Sequence, residues 1–265
     1  MGASSRVPAA AQVLAVLRAL ASAPGPTSAV ALARTLGLPR STTYHLLTVL
    51  ARDGFVVHLP EEHRWGLGVA AFEVGSAYLR HDPLERLARP LLTRLVDEVA
   101  VVAPTVGQVG VLHGRETLYL LRESPRRPVT VVTDVGVRLP AQLTASGRSL
   151  LAGLPAAQVR ALFPSAAAFV DRTGRGPRTL AELRRVLSVE RSRGWSVEDG
   201  EVSEGYASVA AAAHDHAGRP VAAFALTFRR ETCPPELWPS LADAARAAAA
   251  TLSRRLGGRD VGGAP

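Results

Sequence analysis

Residues 31–56 read ALARTLGLPRSTTYHLLTVLARDGFV, and the spacing of their apolar residues decides the fold. Two helical stretches meet across Leu38-Pro39-Arg40. The first opens near Thr27, whose hydroxyl suits an N-cap. It carries Ala29, Leu32, Ala33 and Leu36 on one side and stops at Gly37, which suits a C-cap. The second is predicted over 41–53 and stops at Gly54. On a wheel of about 100° per residue, Thr43, Leu46, Leu47 and Leu50 cluster on one side. Ser41, His45, Thr48 and Arg52 fall on the other, with Tyr44 beside them. The first set packs on the preceding helices. The second is a polar stripe on a rod of the width that enters the major groove of DNA.

N-terminal to this stretch, residues 9–23 predict a helix with Val13, Leu14, Leu17 and Leu20 on one face, ended by Pro24-Gly25-Pro26. C-terminal to it, Phe55-Val56-Val57-His58 and His63-Arg64-Trp65-Gly66-Leu67 flank Pro60-Glu61-Glu62 and predict a small β-hairpin. A helix over 69–80 follows, and His81-Asp82-Pro83 marks a boundary. Beyond it the pattern is mixed. Leu84, Leu87, Leu91, Leu95 and Val99 predict a long helix, and strands are expected over 105–112, 117–123 and 129–134. Helices are expected over 146–152, 155–162, 180–193 and 235–256, and a second hairpin over 208–213 and 220–228. The fold class expected is therefore α+β. A winged helix-turn-helix domain spans 1–68, a linker helix 69–82, an α/β domain 83–257 and a disordered tail 258–265.

The 265 residues are 47% hydrophobic and 20% charged, enough for buried cores and against general disorder. The net charge is +8, and all 31 basic residues are arginine. Such a balance fits an anionic partner, and the planar fork of arginine suits phosphates and base edges. Residues 1–80 carry seven arginines against four acids, and 81–265 carry 24 against 19. Charge alone therefore does not locate a binding face. Cys233 is the single cysteine, which excludes an intramolecular disulfide and a cysteine-based zinc site. No apolar run reaches the ~18 residues of a membrane span, and residues 1–8 lack the apolar stretch of a signal peptide. The expected setting is the cytoplasm, with no membrane partner.

Two constellations carry chemistry. Arg40 stands at the start of the third helix, where phosphate contact is natural, and the hairpin with His63 and Arg64 follows as a wing. The candidate DNA contacts are Arg40, Ser41, Thr42, Tyr44, His45, Thr48 and Arg64. A three-helix protein-interaction module with a solvated polar face fits the same wheel. The other constellation is Thr144-Ala145-Ser146-Gly147-Arg148, a small-residue loop entering a helix. Its free amides attract carboxylates or phosphates, and its small side chains let a ligand approach the backbone; an ordinary helix cap is the alternative.

No G-x-S-x-G elbow, P-loop, G-x-G-x-x-G or H-E-x-x-H pattern occurs, so no catalytic residue, cofactor or metal is expected. An enzyme with an accessory helical domain, or a scaffold whose helices bind protein, are the rival classes. His214 and His216 would share a face on a strand, but a solvated hairpin tip is the simpler reading. Glu198, Asp199, Glu201 and Glu204 read as a solvated loop or pocket rim, and Cys233 as a lone structural or exposed thiol.

The stretch quoted first, with WGLGVAAFEVGSAYL at 65–79, resembles the DNA-binding domain and linker helix of IclR-family transcriptional regulators. The likeness continues through RLPAQLTASGRSLLAGLP at 138–155, RGWSVEDGE at 193–201 and GYASVAAAAHDHAGRPVAAFAL at 205–226. The resemblance implies a sensor domain similar to GAF and PAS-like folds. It also implies a homodimer, often paired into a homotetramer, on a palindromic operator of double-stranded DNA. The function implied is transcriptional regulation, by repression more often than activation, with operator affinity set by a small-molecule effector, an organic or aromatic acid. Carried over position by position, the effector pocket involves Ala145, Ser146, Gly147, Glu198, Ser208, Ala225 and Thr227. The chain departs from the common pattern at His45, where many relatives carry arginine. It departs also at Ser208 (cysteine), Ala225 (serine) and Arg148 (lysine). These changes alter base preference and pocket hydrogen bonding.

Overall fold

The structure, a computed structural model, describes residues 7–81, 83–124 and 134–257. The tail expected over 258–265 lies outside them, as does the strand expected over 129–134 except for Asp134. The chain divides into two compact units, residues 1–82 and 83–265.

The first unit comprises helices α1 (Pro8–Ser22), α2 (Ala29–Leu36), α3 (Arg40–Arg52) and α4 (Val69–His81), with strands β1 (Val56–Leu59) and β2 (Arg64–Leu67) between α3 and α4. Local chemistry sets the joints. The cap of α2 is Ser28, whose Oγ accepts from the Ala31 N–H at 3.2 Å, rather than Thr27. Thr27 is drawn instead into backbone pairing with Trp65, each N–H donating to the other's carbonyl at 2.9 Å. Gly37 ends α2 with φ 65, a left-handed conformation that favours glycine, so the chain reverses within Gly37-Leu38-Pro39 and α3 starts one residue early, at Arg40. The core gathers Val16 and Leu20 of α1, Leu32 of α2, Leu47 and Leu50 of α3, Val56 and Trp65. Each fully buried aliphatic side chain contributes roughly 1.5–3 kcal/mol.

The second unit places six strands in one antiparallel sheet, ordered β5-β4-β3-β8-β7-β6 among the described residues. They are β3 (Val106–His113), β4 (Glu116–Glu123), β5 (Arg138–Pro140), β6 (Ser196–Asp199), β7 (Tyr206–His214) and β8 (Pro220–Arg229). Helices α5 (Pro83–Val99) and α9 (Trp238–Arg255) bury one face through Leu92, Leu95, Phe224, Leu226 and Leu241. On the other face lies α6 (Ala145–Ala152), every residue of which is buried. Beyond it α7 (Ala156–Leu162) and α8 (Leu180–Arg193) add Val159, Leu183 and Leu187. The alanines at 210–213 of β7 are poor strand formers taken alone. Their thin side chains let α6 and α9 approach the sheet from both sides, and packing overrides propensity.

The sequence gives no strand signal for β5 or β6. β5 has three residues and ends in proline, and β6 carries Glu198 and Asp199, but pairing to β4 and β7 imposes the strand state on each. His214 and His216 do not share a strand face, because β7 ends at His214 and His216 belongs to the turn. Cys233 is buried, not exposed, and burial pushes its thiol up.

Candidate functional site

On α3 the side chains of Thr43, Leu47 and Leu50 are buried and Leu46 is half-buried. Arg40, Ser41, Tyr44, His45 and Thr48 are exposed, with Thr42 half-buried. Thr43 is a polar residue on the packed side, and its Oγ1 donates to the Pro39 carbonyl at 3.1 Å, closing the first turn. Thr48 donates to Tyr44 O at 2.9 Å, so its oxygen faces outward as an acceptor. Two residues outside the candidate set share this surface. Val49 is exposed, and Arg52, 3.6 Å from Asp53, extends the stripe by a turn. In the wing, Pro60–Glu62 forms a 3-10 turn and His63 takes φ 51. Arg64 is exposed and donates to Pro26 O at 3.3 Å, tying the wing to the α1–α2 joint.

In the second unit, α6 lies over β7 and β8 and closes a buried polar site. Ser208 and Thr227 are register partners on β7 and β8, with their hydroxyl oxygens 3.0 Å apart. Ser208 donates to Glu198 Oε2 at 3.1 Å across the β6–β7 pair, and Thr227 donates to Gln108 Oε1 at 3.1 Å on β3. Four strands thus contribute one continuous chain of polar groups. Ala145, Ala210 and Ala225 pack together beside it. Ser146 bonds the Tyr119 hydroxyl at 3.0 Å, and Gly147 donates its N–H to the Thr144 cap at 3.0 Å. The structure therefore brings Glu198, Ser208 and Thr227 into hydrogen-bond contact and sets Ala145 against Ala225. Ser146 and Gly147 are engaged by Tyr119 and Thr144.

The acidic stretch, read as a solvated loop or pocket rim, is solvated only in part: Glu204 is exposed, and Asp199 and Glu201 are half-buried. Glu198 is buried on β6, where its Oε1 accepts from the backbone N–H groups of Glu201 and Val202 at 2.8 and 3.0 Å. Arg148, 2% exposed, forms the hub of an ion network. Its Nε lies 3.3 Å from Glu190 Oε1, and Nη1 donates to Glu201 Oε2. Arg193 adds a second cation to Glu190 at 3.4 Å.

Burial raises Glu198 above the usual carboxylate range, against the three hydrogen bonds it accepts. Burial pushes Glu201 up to about 7, against the attraction of Arg148. Burial also raises the Tyr119 hydroxyl to about 12, so it stays a neutral donor and acceptor. A carboxyl whose pKa is raised by folding favours the fold in its protonated form. The contribution of Glu201 is complete below about 4.5 and disappears as pH climbs to about 7. Wild-type stability measured against that of Glu201→Gln is expected to fall across this window and to be flat above it. Urea titrations of both proteins from pH 4 to 8 check this, and a constant difference overturns it.

Sequence reasoning missed Gln108, Tyr119 and Glu190. Gln108 reaches Thr227 over 119 positions, a separation at which local patterning carries no signal.

A helix-turn-helix with a short wing, followed by an α/β unit built round a buried polar network, is the architecture of a two-domain DNA-binding regulator. Residues 9–60 match the family profile described as the IclR helix-turn-helix domain, and residues 76–254 match that of the bacterial transcriptional regulator IclR C-terminal region. The chain belongs to the IclR family of transcriptional regulators, and its role is regulation rather than enzymatic turnover. It is 34% identical to the glycerol operon regulatory protein of Streptomyces coelicolor over 248 residues, 92% of this chain and 94% of that one. It is 29% identical to the transcriptional repressor IclR of Escherichia coli over 222 residues, 81% and 77% of the two chains. A solved IclR homologue from Microbacterium hydrocarbonoxydans, in complex with 4-hydroxybenzoate, shares the fold. Its TM-score is 0.77 at 22% identity, covering 94% of this chain and 98% of that one. Among the described residues no helix is long and apolar enough to cross a membrane.

Proposed function

We propose that the protein is a cytoplasmic, homodimeric repressor whose two α3 helices read a palindromic operator and whose second unit holds an organic acid at the Glu198–Ser208–Thr227 site. The exposed polar stripe of α3 is the observation that carries the DNA-reading half. In this reading residues 1–68 bind DNA, 69–82 link, and 83–257 sense. Arg40 contacts phosphate, Ser41, Thr42, Tyr44, His45 and Thr48 face the groove, and Arg64 meets the backbone beside it. The apolar side chains of Val69, Phe72 and Val74 on α4 support a second copy as partner; Phe72 is 74% exposed.

At the effector site, a carboxylate meets the N–H groups of Ala145 and Ser146, which precede the first intrahelical bond of α6. Arg148 does not supply the counter-charge, since Glu190 and Glu201 already occupy it. Ser208, Thr227 and Gly147 shape the rest of the site, and Ala225 leaves it space. The acid bound by the Microbacterium relative supports this ligand class.

A mobility-shift titration on the gene's upstream region tests the reading, with a discrete salt-sensitive complex expected. Arg40→Ala is expected to weaken all sequences alike and to reduce the salt slope by about 1. His45→Ala is expected to cost about 1–3 kcal/mol of discrimination at one base pair. An unchanged sequence preference in His45→Ala excludes base reading by that residue. The absence of any discrete complex on upstream or neighbouring intergenic fragments excludes the operator.

A further inference from the structure

The outward side of α3 carries one aliphatic residue among its polar groups. Val49 is 46% exposed, between the exposed side chains of His45, Thr48 and Arg52. The packed side of the helix is set by Thr43, Leu47 and Leu50. On a wheel of about 100° per residue, Val49 lies about 50° from the point opposite their mean direction. Tyr44 lies about 90° and Thr42 about 75° from that point on the same wheel. Val49 therefore faces outward more squarely than two of the polar residues that flank the groove. Ser41, His45 and Val49 follow at intervals of four and form one row along the helix, with Arg52 beside its end.

A lone exposed valine is commonplace, and Val30 on α2 is one, 44% exposed. Val49 differs in its place on the row. The neighbouring Thr48 hydroxyl gives its hydrogen to Tyr44 O at 2.9 Å, so neither residue offers a donor to a base edge at this level of the helix. In the major groove a valine side chain neither donates nor accepts. Against guanine, cytosine or adenine it strips water from polar base edges and returns no bond. Thymine is the base that presents an apolar group there, its C5 methyl.

We infer that Val49 is a specificity-determining residue, which selects a thymine in each half-site through that methyl. The inference rests on the reading that α3 lies in the operator groove. Four residues of helix rise about 6 Å and a base-pair step about 3.4 Å. The selected thymine therefore lies within about two base pairs of the pair that His45 reads.

Duplexes selected from a random pool by the full wild-type chain supply the probe. Each thymine of the selected half-site is replaced in turn by uracil, which removes the methyl and keeps every hydrogen-bonding group. At one thymine the expected loss of affinity is about fourfold per half-site, the effect of burying one methyl group. In Val49→Ala, which lacks both γ-methyls, the same replacement is expected to change affinity less than about twofold. Val30→Ala is expected to keep the full uracil effect. Alanine is the better helix former, so the melting temperature of Val49→Ala is expected to equal or exceed that of wild type. A selected site with no methyl-sensitive thymine overturns the inference, and so does an equal uracil effect in Val49→Ala. In both cases the operator reading stands, because the protein has still selected a sequence. Failure to enrich any sequence overturns the operator reading and this inference with it.

Discussion

Arg148→Met is expected to cost the sensor unit about 3–5 kcal/mol of stability, close to the whole margin of a small domain. The guanidinium is 2% exposed and bridges Glu190 on α8 to Glu201 beyond β6, so the change leaves two carboxylates short of a cation in a dry setting. Glu201 relieves part of the loss by taking a proton, since burial already holds its pKa at about 7. Glu190 keeps Arg193 at 3.4 Å, which places the expected loss toward the lower end of the range. Arg148→Lys keeps the charge but offers one compact ammonium where the fork spans two carboxylates, and an intermediate loss is expected. Urea unfolding followed by tryptophan fluorescence in a Trp65→Phe background reads this unit alone, because the remaining tryptophans are Trp195 and Trp238. A loss below about 1 kcal/mol excludes the buried network as a source of stability.

Gly147→Ala decides between two opposed effects. Inside a helix, replacing glycine by alanine ordinarily stabilises by about 1 kcal/mol. Here the added Cβ would stand 2.4 Å from the Ala141 carbonyl oxygen, 2.5 Å from Ala141 Cα and 2.6 Å from Thr117 Oγ1. Two of those atoms are backbone and cannot swing aside, so α6 must lift from the β5–α6 turn. Overpacking of this kind costs about 1–3 kcal/mol, and contacts this short place Gly147 toward the upper end, so that the net loss after the helix term is up to about 2 kcal/mol. The displaced helix also carries Ala145 and Ser146 away from β7 and β8, so loss of effector response is expected with operator binding kept. Denaturant midpoints and mobility shifts with and without effector measure both. A variant as stable as wild type rules out this packing account. It follows that the missing side chain at Gly147 serves the approach of α6 to its own domain.

The helix-turn-helix was legible because its signals are local. The wheel placed Thr43, Leu47 and Leu50 inward and Ser41, His45, Thr48 and Arg52 outward, as the exposures bear out. A single competition moved one cap: Thr27 and Ser28 both carry hydroxyls, and the pairing of Thr27 with Trp65 leaves the cap to Ser28. The sensor unit was legible as alternating helices and strands, but not in its edge strands. β5 and β6 exist through their partners rather than their residues.

By itself, then, the sequence determined the elements whose causes lie within a few residues: caps, the Gly37 reversal, the apolar face of α3 and the hairpin beside it. Resemblance to a family supplied Glu198, Ser208 and Thr227 as a set, without the bonds that join them. Packing of the sheet joins these groups into one chain with Gln108. Packing likewise makes Arg148, which the resemblance marked only as standing where relatives carry lysine, the buried hub between Glu190 and Glu201. The physical reason is that the strength of a hydrogen bond or ion pair depends on distance in space and on exclusion of water. The pairs that matter here sit 10 to 119 positions apart along the chain, on elements that only the sheet order β5-β4-β3-β8-β7-β6 and the helix laid across it bring together.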